Sequence, residues 1–290
     1  MHWSIFFLVS AVFIACADLM TKKTLHRVHA LEFMGSRSVV MIPLILCMIP
    51  FVTWSISAQT LLIILVLGAI LTFAILYRIK AVRHLEVSTT APLMNLTPVF
   101  LIAFAATFLQ EMPTGKQIAG IILIMGGAYV IQVKSSKHIF EPIQQFFKSK
   151  YIQYIFFALV VFAFTATTER FLIRKGAVDP ITYLFFVWLF ISIIGIALDL
   201  YRYGPKDMIY DIKNRAAPFF LIGLFALLAS IFYMYGISQE KALIAVAIPI
   251  KRFSTLIVTL VGGSMFHEKN LVRKAVGCII MVMGGLLIIL

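Results

Sequence analysis

The chain has 290 residues, of which 62% are hydrophobic and 13% are charged, and its mean hydropathy is +1.02. Soluble globular chains carry about 25% charged and about 45–50% apolar residues, so this composition excludes a soluble domain, a disordered chain and a disulfide-stabilised scaffold. A helix needs about 20 residues to cross the ~30 Å hydrocarbon core of a bilayer, which leaves room for about ten crossings. The Lys and Arg residues exceed the Asp and Glu residues by 13. Where these basic residues lie along the chain decides whether they indicate membrane topology or an anionic partner.

Long stretches without charge predict the membrane helices. Strands are not expected, because the strands of membrane barrels alternate over ~10 residues. The first apolar stretch has no basic residues before it, so we interpret it as a membrane helix and not as a cleaved signal peptide. The ten predicted helices fall on the stretches 3–17, 38–77 (two helices, with a turn near Pro50, Trp54 and Ser57), 87–110, 117–133, 152–168, 180–198, 216–239, 242–266 and 271–290.

The second half of the chain repeats features of the first half. Four residues recur 157 positions later, namely Pro92, Glu111, Gly120 and Gly127 as Pro249, Glu268, Gly277 and Gly284. Five helices per half is an odd number, so the second half should be inverted across the membrane, as in many secondary transporters. The sequence therefore predicts an all-α polytopic membrane protein. Its two inverted five-helix repeats, 1–133 and 151–290, are joined by the connecting loop 134–150 and surround a central cavity.

The predicted fourth helix carries the run Lys80 to Pro92, followed by Pro98 and Glu111, and the next helix carries Gly120, Gly126 and Gly127. Together with related residues elsewhere, this motif resembles the EamA family of the drug/metabolite transporter (DMT) superfamily. This resemblance implies ten helices in two inverted repeats around a central cavity, and the transport of small metabolites or drugs. Thr255 departs from the pattern, because it stands where the counterpart of Pro98 would fall. The motif residues are Lys80 to Pro92, Pro98 and Glu111, with Gly120, Gly126 and Gly127 in the next helix, Arg37 in the second helix and Pro249 to Ser254 in the second half.

The positive charges are distributed unevenly over the predicted loops. Seventeen Lys and Arg residues fall on one side of the membrane and five on the other, while Arg37, Lys251 and Arg252 lie inside helices. We therefore interpret the excess as membrane topology and expect no nucleic-acid binding. Because cytoplasmic loops carry the Lys and Arg excess, the count places both termini outside, whereas the family resemblance implies that both lie in the cytoplasm.

The basic residues inside the helices are the first candidates for binding a solute. Lys251 and Arg252 lie near the middle of a 25-residue apolar stretch, where a charge costs roughly 2.5–3.5 kcal/mol on insertion scales. They suit either an anchor for a carboxylate or phosphate group or a structural ion pair. Arg37 is either a second such contact or an interfacial partner of Glu32. Asn95 aligns with Arg252 in the repeat and is either a substrate contact or an interhelical hydrogen-bonding residue.

Aromatic and acidic residues complete the candidate site. Five aromatic residues suit stacking on a solute or hydrogen bonding to it, namely Tyr77, Tyr183, Trp188, Tyr233 and Tyr235, and we select Tyr77, Trp188 and Tyr235 as site residues. Aromatic residues at helix ends also form interfacial belts. Asp18 and Glu169 lie towards the ends of the first and sixth helices. A buried carboxylate of this kind can exchange a coupling proton or bind a substrate amine; the alternative is an interfacial or paired charge.

These features predict a secondary transporter in the cell membrane. It would move a small organic metabolite, amino-acid-like or otherwise bearing an anionic group, by alternating access, as a monomer with protons as the candidate coupling ion. A flippase for lipids or lipid-linked intermediates and a multidrug exporter are the alternatives on the same fold. An enzyme is not expected, because the six histidines are scattered and form no catalytic motif. Neither a metal site nor a cofactor is predicted, because Cys16, Cys47 and Cys278 lie in apolar stretches without a CxxC pair.

Overall fold

The part of the chain that the structure describes contains ten α-helices. The computed structural model describes residues 3–25, 28–84, 97–110, 112–132, 149–239, 242, 247, 250–251, 253–265 and 271–289. Within these residues the prediction of ten helices and an all-α fold is confirmed. The helices are α1 (Trp3–Leu25), α2 (Ala30–Leu46), α3 (Ala58–His84), α4 (Thr97–Phe104), α5 (Gly115–Gln132), α6 (Lys150–Arg174), α7 (Pro180–Tyr203), α8 (Pro205–Ile237), α9 (Phe253–Met265) and α10 (Leu271–Ile289).

Five of these helices are long and apolar enough to cross a membrane, namely α1, α3, α6, α7 and α8. Helix α5 contains a shorter apolar segment, Gly115–Gly127. Large apolar side chains, such as Leu62 and Ile122, are exposed on the outside of the bundle. In water such a surface would be unfavourable, but in a bilayer it faces lipid. The chain is therefore an integral membrane protein.

Several helices extend beyond their charge-free stretches. Helix α3 continues seven residues past Tyr77, to His84, and α6 continues six residues past Thr168, to Arg174. Helix α8 begins at Pro205, eleven residues before the predicted apolar stretch, and its backbone leaves helical geometry at Arg215. Backbone hydrogen bonding continues a helix after its apolar sequence ends, because charged side chains at the helix ends can reach the interface.

The helices pack in pairs that correspond between the two halves. Helix α1 packs against α8, and its counterpart α6 packs against α3. In the same way, α2 packs against α8 and its counterpart α7 packs against α3. Helix α1 also packs against α9, as α6 packs against α4. The remaining large contacts, α2 with α7 and α5 with α10, join a helix to its own counterpart. Exchanging the two halves therefore leaves this pattern of contacts unchanged.

Glycines allow α5 and α10 to approach closely. A Cβ atom added at Gly127 would lie 2.6 Å from the carbonyl oxygen of Gly277, and one added at Gly284 would lie 2.7 Å from that of Gly120. These four glycines are the ones that recur 157 positions apart. Gly126 does not take part, because a Cβ there would meet no atom within 4 Å. The repeated glycines thus serve helix packing.

Candidate functional site

A cavity of about 420 Å³ lies between helices of both halves. Residues of α1 to α4 and of α6 to α9 line it, and no described residue of α5 or α10 does. Most of its wall is apolar, as at Leu71, Phe162 and Ile222, and a few charged side chains face the interior. This size and lining are typical of sites for small organic molecules.

An ion pair lines the cavity near the C-terminal ends of α1 and α3. Nη2 of Arg78 donates to both carboxylate oxygens of Asp18, at 3.1 and 3.3 Å. Each side chain is about a third exposed (35% and 34%), so the pair is accessible from the cavity. Lys22, one turn after Asp18 on α1, also lines the wall. Two cations and one carboxylate therefore meet here.

Arg37 and Trp188 face the cavity where α2 packs against α7. The guanidinium carbon of Arg37 lies 5.6 Å from the centroid of the Trp188 ring, within range of a cation–π interaction. Nε of Arg37 is buried and makes no hydrogen bond within the described part of the chain. The guanidinium group thus retains a donor for a planar anionic group.

A second charged cluster lines the cavity near the C-terminal ends of α6 and α8. Glu169 is buried, with Tyr183 and Tyr233 beside its carboxylate and Lys251 close enough to act on it electrostatically. Nζ of Lys251 lies 4.0 Å from the centroid of the Tyr233 ring. Among the residues described, no hydrogen bond reaches Oε1 of Glu169 or the two tyrosine hydroxyls. The cluster therefore holds buried polar atoms that a bound solute or a proton can engage.

Arg170 keeps α6 buried next to Glu169. Its Nη2 donates to the carbonyl oxygens of Gln239, at 3.3 Å, and Ala242, at 2.8 Å. These bonds fasten α6 to the segment that follows α8, and Arg170 is only 3% exposed. Glu169 consequently belongs to the protein interior and not to the membrane interface.

The structure brings together five of the residues singled out from the sequence. Tyr77 and Tyr235 do not line the cavity: Tyr77 stacks on Tyr154 with ring centroids 4.7 Å apart, and Tyr235 stacks on Phe6 at 6.4 Å. Both tyrosines pack on neighbouring aromatic rings instead. Asn95 and Arg252 lie outside the described residues. The five residues that line the cavity are Asp18, Arg37, Glu169, Trp188 and Lys251.

Sequence reasoning did not select Lys22, Arg78 and Tyr233 as site residues. Lys22 and Arg78 were counted as loop charges, because the charge-free stretches end before them. A signal for Arg78 was its position one residue after a long apolar stretch, and Asp18 directly follows the first apolar stretch in the same way. Tyr233 precedes Tyr235 by two residues, so the two point to different faces of α8; the sequence analysis considered both and selected Tyr235.

Comparisons with known proteins identify the fold and the family. The model of the EamA-like transporter family matches residues 1–133 and 149–290, which confirms the resemblance found in the motifs. No curated protein matches the chain significantly. A solved structure described as "Crystal structure of protein" is similar in fold, with a TM-score of 0.70 and 13% identity, over 98% of this chain and 95% of that one.

Proposed function

Because the chain belongs to the EamA-like transporter family, whose members are membrane transporters and not enzymes, we propose that it is a secondary transporter for a small organic solute bearing a carboxylate or phosphate group. The charge of the cavity carries this proposal. Four of its described lining residues are basic and two are acidic, namely Lys22, Arg37, Arg78 and Lys251 against Asp18 and Glu169. A net positive charge inside a membrane protein favours an anionic partner, because a buried charge needs compensation.

Each part of such a solute has a suitable partner in the cavity. The guanidinium group of Arg37 offers a planar fork of donors for a carboxylate or phosphate, and Lys251 adds a compact positive charge. The rings of Trp188 and Tyr233 offer apolar faces to the rest of the molecule. Glu169 suits the amine of an amino-acid-like solute. Asn95 and Arg252, outside the described residues, stay predicted contacts.

Alternating access between two inverted repeats is the proposed mechanism. The repeats are 1–133 and 151–290, joined by 134–150, and the matching helix pairs of the two halves support this division. Helices α5 and α10 suit a fixed joint, since they pack through glycines and contribute no described residue to the cavity. One chain supplies the whole cavity, which favours a monomer, and we place it in the cell membrane.

A thermal-shift screen of the purified protein tests the class of solute. The compounds are carboxylates, amino acids, phosphorylated metabolites, lipid headgroups and hydrophobic cations. We expect stabilisation by compounds with an anionic group, worth about 2.7 kcal/mol at a concentration of 100 times Kd. Stabilisation by hydrophobic cations alone would instead support the multidrug alternative, and stabilisation by lipid headgroups alone would support a flippase.

Substitution of Lys251 tests the binding site itself. We expect K251A to lower transport in liposomes by at least about tenfold, since a charged hydrogen bond to the solute is worth roughly 1.5–3 kcal/mol. The matched control is K175A, which removes an exposed lysine that lies over the ring of Phe171, outside the cavity. Equal transport by K251A and K175A would contradict the proposed anchor.

Glu169 and Asp18 are the proposed proton-coupling residues. Glu169 is the stronger candidate, because it is buried beside Lys251, whereas Arg78 holds Asp18 as an ion pair. We expect E169Q to bind solute in the thermal-shift assay but to lose accumulation driven by a pH gradient, because its amide cannot exchange a proton. D18N serves as the comparison. Accumulation in E169Q that still follows the pH gradient would exclude Glu169 from coupling.

A further inference from the structure

A second buried carboxyl group lies outside the cavity. Asp199 stands near the C-terminal end of α7, where its side chain is 1% exposed. Neither of its carboxylate oxygens has a hydrogen-bond partner in the described part of the chain. It is not among the residues that line the cavity. The function proposed above therefore leaves this carboxyl group without a role.

Among the described residues, none is seen to supply a compensating positive charge to Asp199. Its carboxylate packs so closely against Gly35 of α2 that a Cβ atom at that glycine would overlap it. The charged groups that act on it are Glu32 of α2 and Asp207 and Asp211 of α8, all acidic. An unpaired carboxylate in such a place costs several kcal/mol, and three negative neighbours raise that cost.

Two basic groups of this region are engaged elsewhere. Arg215 pairs with Asp211, four residues before it on α8. The side chain of Arg83 contacts Nδ1 of His29 at 2.6 Å, and the backbone N–H of His29 donates to Oε2 of Glu32 at 3.1 Å. Among the described residues no group of three His, Cys, Asp or Glu side chains is arranged to hold a metal ion. The partner that these surroundings accommodate is a proton.

We infer that Asp199 is a proton-binding site, separate from the cavity, at the contact between α2 and α7. The proton bound to the carboxyl group removes the charge and lets the two helices touch at Gly35. When the proton leaves, a negative charge remains at a contact where no described residue donates a hydrogen bond to it. The contact between α2 and α7 then loosens.

The same two helices carry residues that face the cavity. Arg37 lies two residues after Gly35 on α2, and Trp188 lies eleven residues before Asp199 on α7. A change in the α2–α7 contact therefore moves the Arg37–Trp188 pair. This consequence for transport rests on the proposed function, whereas the proton site itself does not.

Infrared spectroscopy of the purified full-length protein tests the proton site without any substrate. Labelling the aspartate carboxyl carbon with ¹³C shifts the carbonyl band of a protonated aspartic acid and leaves that of glutamic acid in place. We expect a label-sensitive band at neutral pH in the wild type that is lost in D199N. The matched control is D207N, which removes an exposed acid of the same surroundings and should keep the band.

The absence of the band from labelled wild-type protein would overturn the inference, and this measurement stands even if D199N does not fold. Persistence of the band in folded D199N would overturn it as well. Loss of the band in D207N alone would do the same, because the proton would then lie on Asp207. Addition of sodium at fixed pH should leave the band in place. Loss of the band when sodium is added would show that the site takes a metal cation in place of the proton.

Trp188 fluorescence tests the link to the cavity. With Trp3 and Trp54 replaced by Phe, Trp188 is the only tryptophan of the sequence. We expect its emission to change as rising pH removes the proton of Asp199, and to stay constant in D199N over the same range. Emission with the same pH dependence in D199N would overturn the link between Asp199 and the cavity. Since no substrate is used, this outcome is independent of whether the proposed transport is found.

Discussion

The direction in which a side chain points from its helix decides whether a charge serves the cavity. On α3 the cavity residues Leu71, Ile75 and Arg78 recur at the spacing of one helix face, whereas Tyr77 points about 100° away and stacks on Tyr154. The sequence marked both Arg78 and Tyr77 as unusual at the end of an apolar stretch. It did not determine which of them faces inward, because that depends on how α3 is rotated against α6.

Asp179 shows a single residue that fixes the start of a helix. Its Oδ1 accepts hydrogen bonds from the backbone N–H groups of Ile181 at 3.1 Å and Thr182 at 2.9 Å, and Pro180 follows as the first residue of α7. We expect D179A to lower the free energy of unfolding by about 1 kcal/mol, because two backbone donors lose their acceptor. Thermal unfolding in detergent measures the loss, and D179N, which keeps an acceptor oxygen, should lose less.

The same cap predicts a pH dependence. Burial opposes ionisation of Asp179, but hydrogen bonds from Thr182, Thr53 and Ile181 outweigh it, and the pKa of the carboxyl lies below its ordinary value. The folded protein thus binds this proton less readily than the unfolded chain does. The stabilisation that the ionised carboxyl of Asp179 provides is complete above the ordinary pKa, and it is lost as the pH falls through the lowered pKa. If the difference in free energy of unfolding between wild type and D179N stays constant into the acid range, this account is contradicted.

At the scale of elements, the charge-free stretches predicted the existence of the helices more accurately than the positions of their ends. The turn between α2 and α3 falls where Pro50 and Trp54 predicted it, and α10 begins at Leu271 as expected. Helix α8 starts at Pro205, well before its apolar stretch, and bends at Arg215. The apolar sequence reflects the thickness of the bilayer, whereas backbone hydrogen bonding and capping determine the ends of a helix.

The glycines of α5 offer a matched test of helix packing. We expect G127A to destabilise the protein by about 1–3 kcal/mol, since its methyl group would press on the backbone of α10, which cannot move aside cheaply. G126A, one residue away, adds the same methyl group in open space and should leave stability unchanged or slightly raised. Thermal unfolding in detergent compares the two variants. Equal effects would show that α5 and α10 do not pack through Gly127.

At the scale of the whole molecule, the contacts between helices give the repeat a physical form. The large contacts between non-equivalent helices occur in pairs that are related by exchanging the halves, and two further large contacts, α2 with α7 and α5 with α10, join equivalent helices. Such a pattern is expected when two similar units enclose a shared cavity. Because each unit has five helices, we propose that they have opposite orientations in the membrane.

Cysteine labelling tests this orientation. In a background without the three native cysteines, K23C and K175C place thiols at exposed positions after the first helix of each half. We expect a membrane-impermeant maleimide to reach them from opposite sides of the membrane. K150C, at the exposed start of α6, should be labelled from the same side as K23C. Labelling of K23C and K175C from one side would show that the repeats are parallel.

The sequence by itself determined the membrane class, the ten helices, the family and the presence of charges inside the membrane, because composition, apolar length and motifs are local properties of the chain. It also contained the repeated glycines that bring α5 and α10 together. Only the tertiary structure decided that Arg78 pairs with Asp18, that Tyr233 and not Tyr235 meets Lys251, and that no described residue hydrogen-bonds to the buried carboxyl of Asp199. These facts depend on how each helix is rotated and which neighbour it meets, and that is set by packing between residues far apart in the chain.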